Sequence, residues 1–161
     1  MSVADGYPPP AWGATIPYMR TRLSSLVTLF VLTLAPAGLA QTSDEQAVRA
    51  TIDQYFRGHA TASADEMRKA FLPTAHIEGI RSGTFTSWTV DEYCANFKGK
   101  PAADEASRKR TIDSVDVSGT AAMARATLAH GATTFTDYFV LLKVDGEWKI
   151  ANKVYSSAPT R

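Results

Sequence analysis

Cysteine is nearly absent from this 161-residue chain, in which Cys94 stands alone. One cysteine cannot form an intrachain disulfide or a CxxC motif, and no cysteine follows the N-terminal apolar run to carry a lipid. A catalytic thiol would need a nearby base and an electropositive setting. Cys94 instead lies within an amphipathic helix pattern, which predicts a small buried side chain.

A charge surplus of either sign is also missing. The chain has 17 lysines and arginines against 16 aspartates and glutamates. A protein that binds nucleic acid needs a basic surface to hold the phosphates, so the composition argues against that class. Residues 108–110 (RKR) form a local basic cluster, but the acidic residues 104 and 105 precede it, and we predict a solvated loop there.

Histidine is scarce and widely spaced. His59, His76 and His130 show neither HxH nor HxxxH spacing, so we expect no metal site, and no other cofactor is indicated. His76 shares a predicted strand face with Glu78, and these two side chains could form a His–carboxylate pair. His59 lies at a predicted helix end and His130 in a predicted turn, so neither is expected to be catalytic.

The chain also lacks an apolar run long enough to span a membrane, which takes about 20 residues. Its longest uncharged apolar run is residues 23–35 (LSSLVTLFVLTLA), preceded by the basic segment MRTR and followed by the small residues Gly38 and Ala40. This is the pattern of a cleaved signal peptide. We therefore expect removal of residues 19–40 and export to the periplasm or the cell exterior. The mature chain would begin at Gln41 and contain no membrane span.

Residues 1–18 fit neither a signal peptide nor a folded element. They contain three consecutive prolines and show no apolar periodicity. Such a segment is predicted to be disordered, or to be an extension that arises from a wrongly assigned translation start. One domain is therefore predicted, and it covers residues 41–161.

Three capping boxes mark the starts of three predicted helices. They are Ser43 with Gln46, Ser63 with Glu66, and Thr89 with Glu92. Apolar residues follow each box at helical spacing. The three helices are predicted to end near Gly58, at Pro73 and near Gly99.

The remaining patterns are those of β-strands. Residues 75–88 predict a hairpin with its turn at Ser82-Gly83, and residues 110–117, 120–129, 133–144 and 147–156 predict four further strands. Ser118-Gly119 and Asp145-Gly146 are two-residue hairpin signals. Helices early in the chain and strands late indicate an α+β fold, in which the helices cover one face of an antiparallel sheet.

The last hairpin allows a prediction of faces. If Asp145-Gly146 is a two-residue turn, Phe139 pairs with Asn152, and cross-strand partners share a face. The helix-facing side would then carry Asp137, Phe139, Leu141, Trp148, Ile150, Asn152 and Val154. The outer side would carry Tyr138, Val140 and Leu142, which is too apolar to stay exposed, so we predict a homodimer through that face.

Four segments together resemble a known superfamily. They are Tyr55-Phe56 and residues 71–77 (FLPTAHI), 136–143 (TDYFVLLK) and 145–153 (DGEWKIANK). Over residues 47–155 the chain resembles nuclear transport factor 2-like (ketosteroid isomerase-like) proteins, in particular their exported "putative lumazine-binding" branch. The resemblance implies a cone-shaped α+β fold, with about three N-terminal helices packed on a strongly bent antiparallel sheet and an apolar pocket at the open end.

The resemblance also bears on catalysis. Steroid isomerases of the superfamily use a tyrosine, a buried protonated acid and a carboxylate base. Tyr55 and Asp137 match the first two, whereas the base falls on Gly79, which cannot take a proton. Asp137 is expected to lie among apolar side chains, where ionisation is costly, and to be neutral or hydrogen-bonded to Tyr55 or Asn152.

We therefore expect a non-catalytic pocket that binds a small apolar or aromatic molecule. The predicted ligand-binding residues are Tyr55, Phe71, Ile77, Trp88, Phe97, Asp137, Phe139 and Asn152. Two alternatives stay open. One is an isomerase, dehydratase or cyclase that uses Tyr55 and Asp137, with His76 or Glu78 as base. The other is a protein-interaction module whose cone is filled by side chains.

Overall fold

The computed structural model describes residues 37–81 and 83–160, with side chains from residue 42 onwards. The predicted N-terminal extension and most of the predicted signal peptide lie outside these residues, as does Ser82 of the first hairpin turn. None of the helices in the described part of the chain has both the length and the apolar character needed to cross a membrane.

The described part of the chain has three α-helices, of which the second and third begin where the capping boxes predict. They are α1 (Ala37–Thr61), α2 (Ala64–Ala70) and α3 (Val90–Cys94), and a short 3-10 helix covers Glu105–Ser107. Ser63 caps α2 by accepting a hydrogen bond from the Glu66 N–H. Thr89 and Glu92 form the reciprocal capping box at α3. The prediction of Ser43 as the cap of α1 is wrong for the uncut chain, because the preceding residues continue the helix and supply its backbone acceptors.

Among the described residues, six strands form one sheet. Their bounds are β1 (His76–Arg81), β2 (Thr84–Thr89), β3 (Lys109–Ser118), β4 (Ala121–His130), β5 (Thr133–Val144) and β6 (Glu147–Pro159). The strand order is β2-β1-β6-β5-β4-β3, and every neighbouring pair is antiparallel except β1 and β6, which run parallel. The predicted α+β class and the NTF2-like layout of helices on one sheet are confirmed.

A β-bulge between β5 and β6 changes the predicted faces. Asp145 and Gly146 have φ of 52° and 84°, as a type I′ turn requires, and Leu141 pairs with Ile150 as predicted. The register then shifts by one residue, so that Val140 pairs with Asn152. Because side chains alternate along a strand, this shift turns Lys153 inward and Asn152 outward.

The core lies between the helices and the inner face of the sheet. From α1, Val48, Ile52 and Tyr55 are all at most 1% exposed. Leu141 and Ile150 meet them from the sheet and are equally buried. Asp44 joins the start of this layer to the sheet by accepting hydrogen bonds from the Lys143 ammonium and the Trp148 indole. These contacts hold α1 across the sheet and leave a pocket at its C-terminal end.

Candidate functional site

A pocket of about 280 Å³ opens between the end of α1, α3 and the inner face of the sheet. Its apolar and aromatic lining comes from Tyr55, Trp88, Tyr93, Phe97, Leu128, Phe135 and Tyr155. Its polar lining comes from His59, Arg81, Asn96, His130, Asp137 and Lys153. An apolar wall with a few convergent polar groups is the usual composition of a small-molecule site.

Three buried polar side chains form a network at the floor of this pocket. The Tyr55 hydroxyl donates to Asp137 Oδ2 at 2.6 Å. Lys153 Nζ donates to the Tyr55 hydroxyl at 2.9 Å and to Asp137 Oδ2 at 3.2 Å. Tyr55 and Asp137 are 1% exposed and Lys153 is 4% exposed, so water screens these contacts little. The predicted Tyr55–Asp137 hydrogen bond is confirmed, whereas the ion pair with Lys153 was not foreseen.

The network sets the charge of its members. Burial by itself lowers the pKa of Lys153, but the Asp137 carboxylate outweighs it and leaves that pKa above its ordinary value. Burial, reinforced by the negative charge of Asp137, raises the pKa of Tyr55 well above 10. At neutral pH the floor therefore presents an ammonium group and a neutral phenol.

Three tyrosine rings surround the ammonium of Lys153. Its Nζ lies 5.1 Å from the ring centre of Tyr55, 5.3 Å from that of Tyr93 and 5.1 Å from that of Tyr155. These are cation–π distances, and they strengthen when the cation is desolvated. The rings and the Asp137 carboxylate together compensate the burial of the charge.

Two histidines extend the polar network along one wall. His59 Nε2 lies 3.1 Å from the Tyr93 hydroxyl, and the rings of His59 and His130 are 5.5 Å apart. Burial and the positive charge of Lys153 lower the pKa of His59 well below 6.5. Burial, with Arg110 and Arg108, lowers the pKa of His130 to about 4. Both imidazoles are therefore neutral at pH 7.

The predicted ligand-binding residues divide into three groups. Tyr55, Trp88, Phe97 and Asp137 line the pocket, and their role in binding stays a prediction. The second group, Phe71, Ile77 and Phe139, lies in the core outside the pocket lining. Phe71 and Phe139 pack edge-on against Tyr55, with ring centres 5.9 and 5.2 Å away.

Asn152 forms the third group, and its predicted inward position is wrong. The bulge places it on the outer face opposite Val140, where its amide lies 3.4 Å from Glu78 Oε2. Lys153, next along the strand, occupies the inward position instead.

Neither candidate base from β1 reaches the pocket. His76 is exposed, and Glu78 lies on the same outer side, where Ser87 and Asn152 donate to its carboxylate. The inward positions of β1 are Ile77 and Gly79. A Cβ on Gly79 would lie 2.6 Å from the Tyr155 ring, so an aromatic ring fills the space where the resemblance places a base.

Sequence reasoning missed His59, Tyr93, His130, Lys153 and Tyr155 as pocket residues. His59 and His130 were not expected to be catalytic, and that stays a prediction; both line the pocket, because the end of α1 and the end of β4 meet it. One of these residues, His59, could have been predicted from its spacing in the sequence. Tyr55 and His59 are four residues apart and share a helix face, and their rings lie 4.7 Å apart.

The outer face of the sheet is apolar, as predicted. Tyr138, Val140 and Leu142 point outward and are 51%, 46% and 42% exposed. This face has two depressions of about 330 and 350 Å³. They lack a cluster of buried charged groups of the kind found in the inner pocket, so the chemistry of a ligand site is concentrated inside.

Comparisons with known proteins agree with this architecture. A protein-family model described as "Putative lumazine-binding" matches residues 43–156. The chain is 24% identical over 120 residues to aldolase FrzH of Cladobotryum sp, and the alignment covers 73% of this chain and 94% of that protein.

Solved structures of other proteins also share this architecture. An NTF2-like protein of unknown function from Shewanella baltica is 28% identical, with a TM-score of 0.66 and coverage of 74% of this chain and 97% of that one. A protein named "Putative Scytalone Dehydratase" from Novosphingobium aromaticivorans has a TM-score of 0.55 at 12% identity, over 77% of this chain and 92% of that one. The second likeness shows the fold alone.

Proposed function

Since this chain belongs to the "putative lumazine-binding" family of the NTF2-like superfamily, we propose that it binds a small, largely apolar molecule in the pocket above Tyr55 and Asp137 without transforming it. The observation that best supports this proposal is a pocket of about 280 Å³ with an aromatic wall and a buried polar floor. This volume suits a ligand of one or two fused rings. The floor is internally paired, which holds the pocket in shape without the ligand.

The proposal is tested with the neutral fluorescent probe N-phenyl-1-naphthylamine, titrated into the wild-type chain and two Phe→Ala variants. Phe97 lines the pocket, whereas Phe85 is 64% exposed at the tip of the first hairpin. Loss of an aromatic anchor costs more than about 1 kcal/mol, so Phe97→Ala should weaken binding about fivefold or more. Phe85→Ala should leave the affinity unchanged. Equal affinities for both variants would contradict the proposal.

A second candidate function is an enzyme that transfers a proton next to a carbonyl group. The 24% identity to an aldolase and the neutral His59 and His130 beside the floor support it. Tyr55 and Lys153 would stabilise the oxyanion, and a histidine would be the base in place of His76 or Glu78.

Two observations make binding the better-supported function. The lowered histidine pKa values mean that these imidazoles hold a proton weakly. The raised pKa of Lys153 keeps its amine protonated and therefore unsuited to attack a carbonyl carbon. A panel of ketones and aldehydes in D₂O tests the enzyme directly, because proton transfer incorporates deuterium beside the carbonyl. Incorporation that His130→Gln abolishes would favour the enzyme over the binder.

Export and dimerisation complete the proposal. Cleavage after Ala40 is supported by the apolar run and small residues described above, and Edman sequencing of the exported form should begin at Gln41.

A homodimer through the outer face is supported by the exposure of Tyr138, Val140 and Leu142. The third function considered, a module with a filled cone, has less support, because the described residues leave a pocket inside.

A further inference from the structure

The inner pocket carries an uneven set of charges, and we infer from it that the pocket selects anions: an aromatic or apolar ring with one acidic group, bound in its ionised form. This inference rests on the proposed binding function and narrows the class of ligand. Three features support it: the net positive charge of the lining residues, the tyrosine rings that already contact the Lys153 ammonium, and an unpaired histidine nitrogen in the wall.

Positive charge outnumbers negative charge in the lining. Asp137 is the single acidic lining residue within the described chain; its Oδ2 already accepts bonds from Tyr55 and Lys153, whereas its buried Oδ1 has no partner among the described residues. That pair cancels, which leaves Arg81 at the rim as a second cation. Within residues 37–81 and 83–160, no ion pair of Arg81 is found. A ligand anion would therefore meet a net positive site.

The tyrosine faces at the pocket floor do not favour a ligand cation. Three of the six Tyr, Trp and Phe rings in the lining, those of Tyr55, Tyr93 and Tyr155, already have the Lys153 ammonium about 5 Å from their centres. A second positive charge beside these rings would be repelled by the first. Cation–π attraction by these three rings is thus directed to the protein's own lysine.

The wall supplies a donor for an anion. His130 Nε2 is buried and has no hydrogen-bond partner in the described chain, so it can carry the proton and donate to a ligand. Asn96 also lines the pocket, but its side-chain amide already donates to the backbone carbonyls of Glu92 and Tyr93. Burial is the largest cause of the lowered pKa of His130; Arg110 and Arg108 lower it further, and these two arginines are themselves ion-paired with Glu105 and Asp104 respectively.

Three ligands of one shape but different charge test the inference by isothermal titration calorimetry at pH 7: 2-naphthoate, 2-naphthamide and 2-naphthylmethylammonium. Hydrogen bonds to charged groups are worth about twice those between neutral groups, so naphthoate should bind about tenfold more tightly than naphthamide. The ammonium compound should bind more weakly than either.

Arg81→Gln should weaken naphthoate binding about two- to fivefold, as for an exposed ion pair, and leave naphthamide unchanged. Arg57→Gln is the matched control on exposed α1 surface outside the pocket and should change neither. Naphthamide binding as tightly as naphthoate would overturn anion selection and leave the proposed binding function standing. Failure of all three compounds to bind would overturn both. If Arg81→Gln still binds naphthoate in preference to naphthamide by the same factor, the pocket floor selects the anion. That result would overturn the role inferred for Arg81.

Discussion

The buried ion pair between Lys153 and Asp137 makes the sharpest prediction about this protein's stability. Lys153→Met removes the ammonium group while keeping most of the side-chain volume. It leaves Asp137, which is 1% exposed, with the Tyr55 hydroxyl as its remaining hydrogen-bond donor among the described residues. The neighbouring carboxylate then bears a charge that no cation compensates. We therefore expect this single substitution to be strongly destabilising.

The magnitude follows from distance and burial. At 3.2 Å, with an effective dielectric constant of about 20, Coulomb's law gives an attraction of about 5 kcal/mol. Breaking a buried pair from one side typically costs about 3–5 kcal/mol, a large part of a domain's total stability of about 5–15 kcal/mol. Asp137→Leu should cost a similar amount, because it strands the ammonium.

The double variant Asp137→Leu/Lys153→Met removes both charges together. It should be only about 1–2 kcal/mol less stable than wild type, and that residual reflects the lost acceptor of the Tyr55 hydroxyl. The two single effects should therefore be far from additive.

Urea denaturation of all four proteins, followed by circular dichroism, measures this cycle. Lys149→Met is the matched control on the same strand, since Lys149 is 28% exposed and pairs with a Glu147 that is 71% exposed. That substitution should cost at most about 1 kcal/mol. If Lys153→Met costs no more than Lys149→Met, or if the two single effects add, the reasoning about a buried compensated pair is refuted.

Three further predictions concern pH, packing and assembly. His130 and His59 have lowered pKa values in the folded protein, so folding favours their neutral forms. Their contribution to the free energy of unfolding is therefore fully present above pH 6.5 and is lost as the pH falls towards about 4. The His130 contribution is below the roughly 3 kcal/mol that the full shift would give, because water partly screens this half-buried ring, and His130→Asn should flatten a denaturation series at pH 7.5, 5.5 and 4.5. Gly79→Ala should cost about 1–3 kcal/mol, because its Cβ would clash with the Tyr155 ring and with the Tyr155 carbonyl oxygen; Tyr155→Leu should relieve only the part of that cost due to the ring, in the same assay. Tyr138→Glu should halve the mass in light scattering at micromolar concentration; a wild-type monomer would contradict the dimer.

Local sequence signals predicted most of the fold. The capping residues at Ser63 and Thr89 begin helices where expected, because each satisfies a first-turn amide within three residues. Asp145-Gly146 forms the predicted turn because both positions need positive φ. These signals act over a few residues, so no distant part of the chain can alter them much.

The candidate site was predicted only in part, and the reason is one residue of register. Tyr55 and Asp137 were placed correctly, because a helix face and an unbroken strand alternation position them. Beyond Ile150 the bulge reverses the alternation, so that Lys153 rather than Asn152 faces the core. Nothing within the strand sequence marks that extra residue.

The sequence by itself therefore determined the α+β class and the order of elements, which follow from short-range periodicity and turn chemistry. The resemblance to NTF2-like proteins, rather than any local pattern, led to Tyr55 as one of the two partners predicted for Asp137. The tertiary structure alone decided that a lysine neutralises Asp137 and that His59 and His130 meet at one wall. These contacts join residues 16 and 71 positions apart in the chain. They depend on the register of the strands that pack against α1. That register depends on burial and hydrogen bonding summed over the whole sheet, which no short segment of sequence specifies.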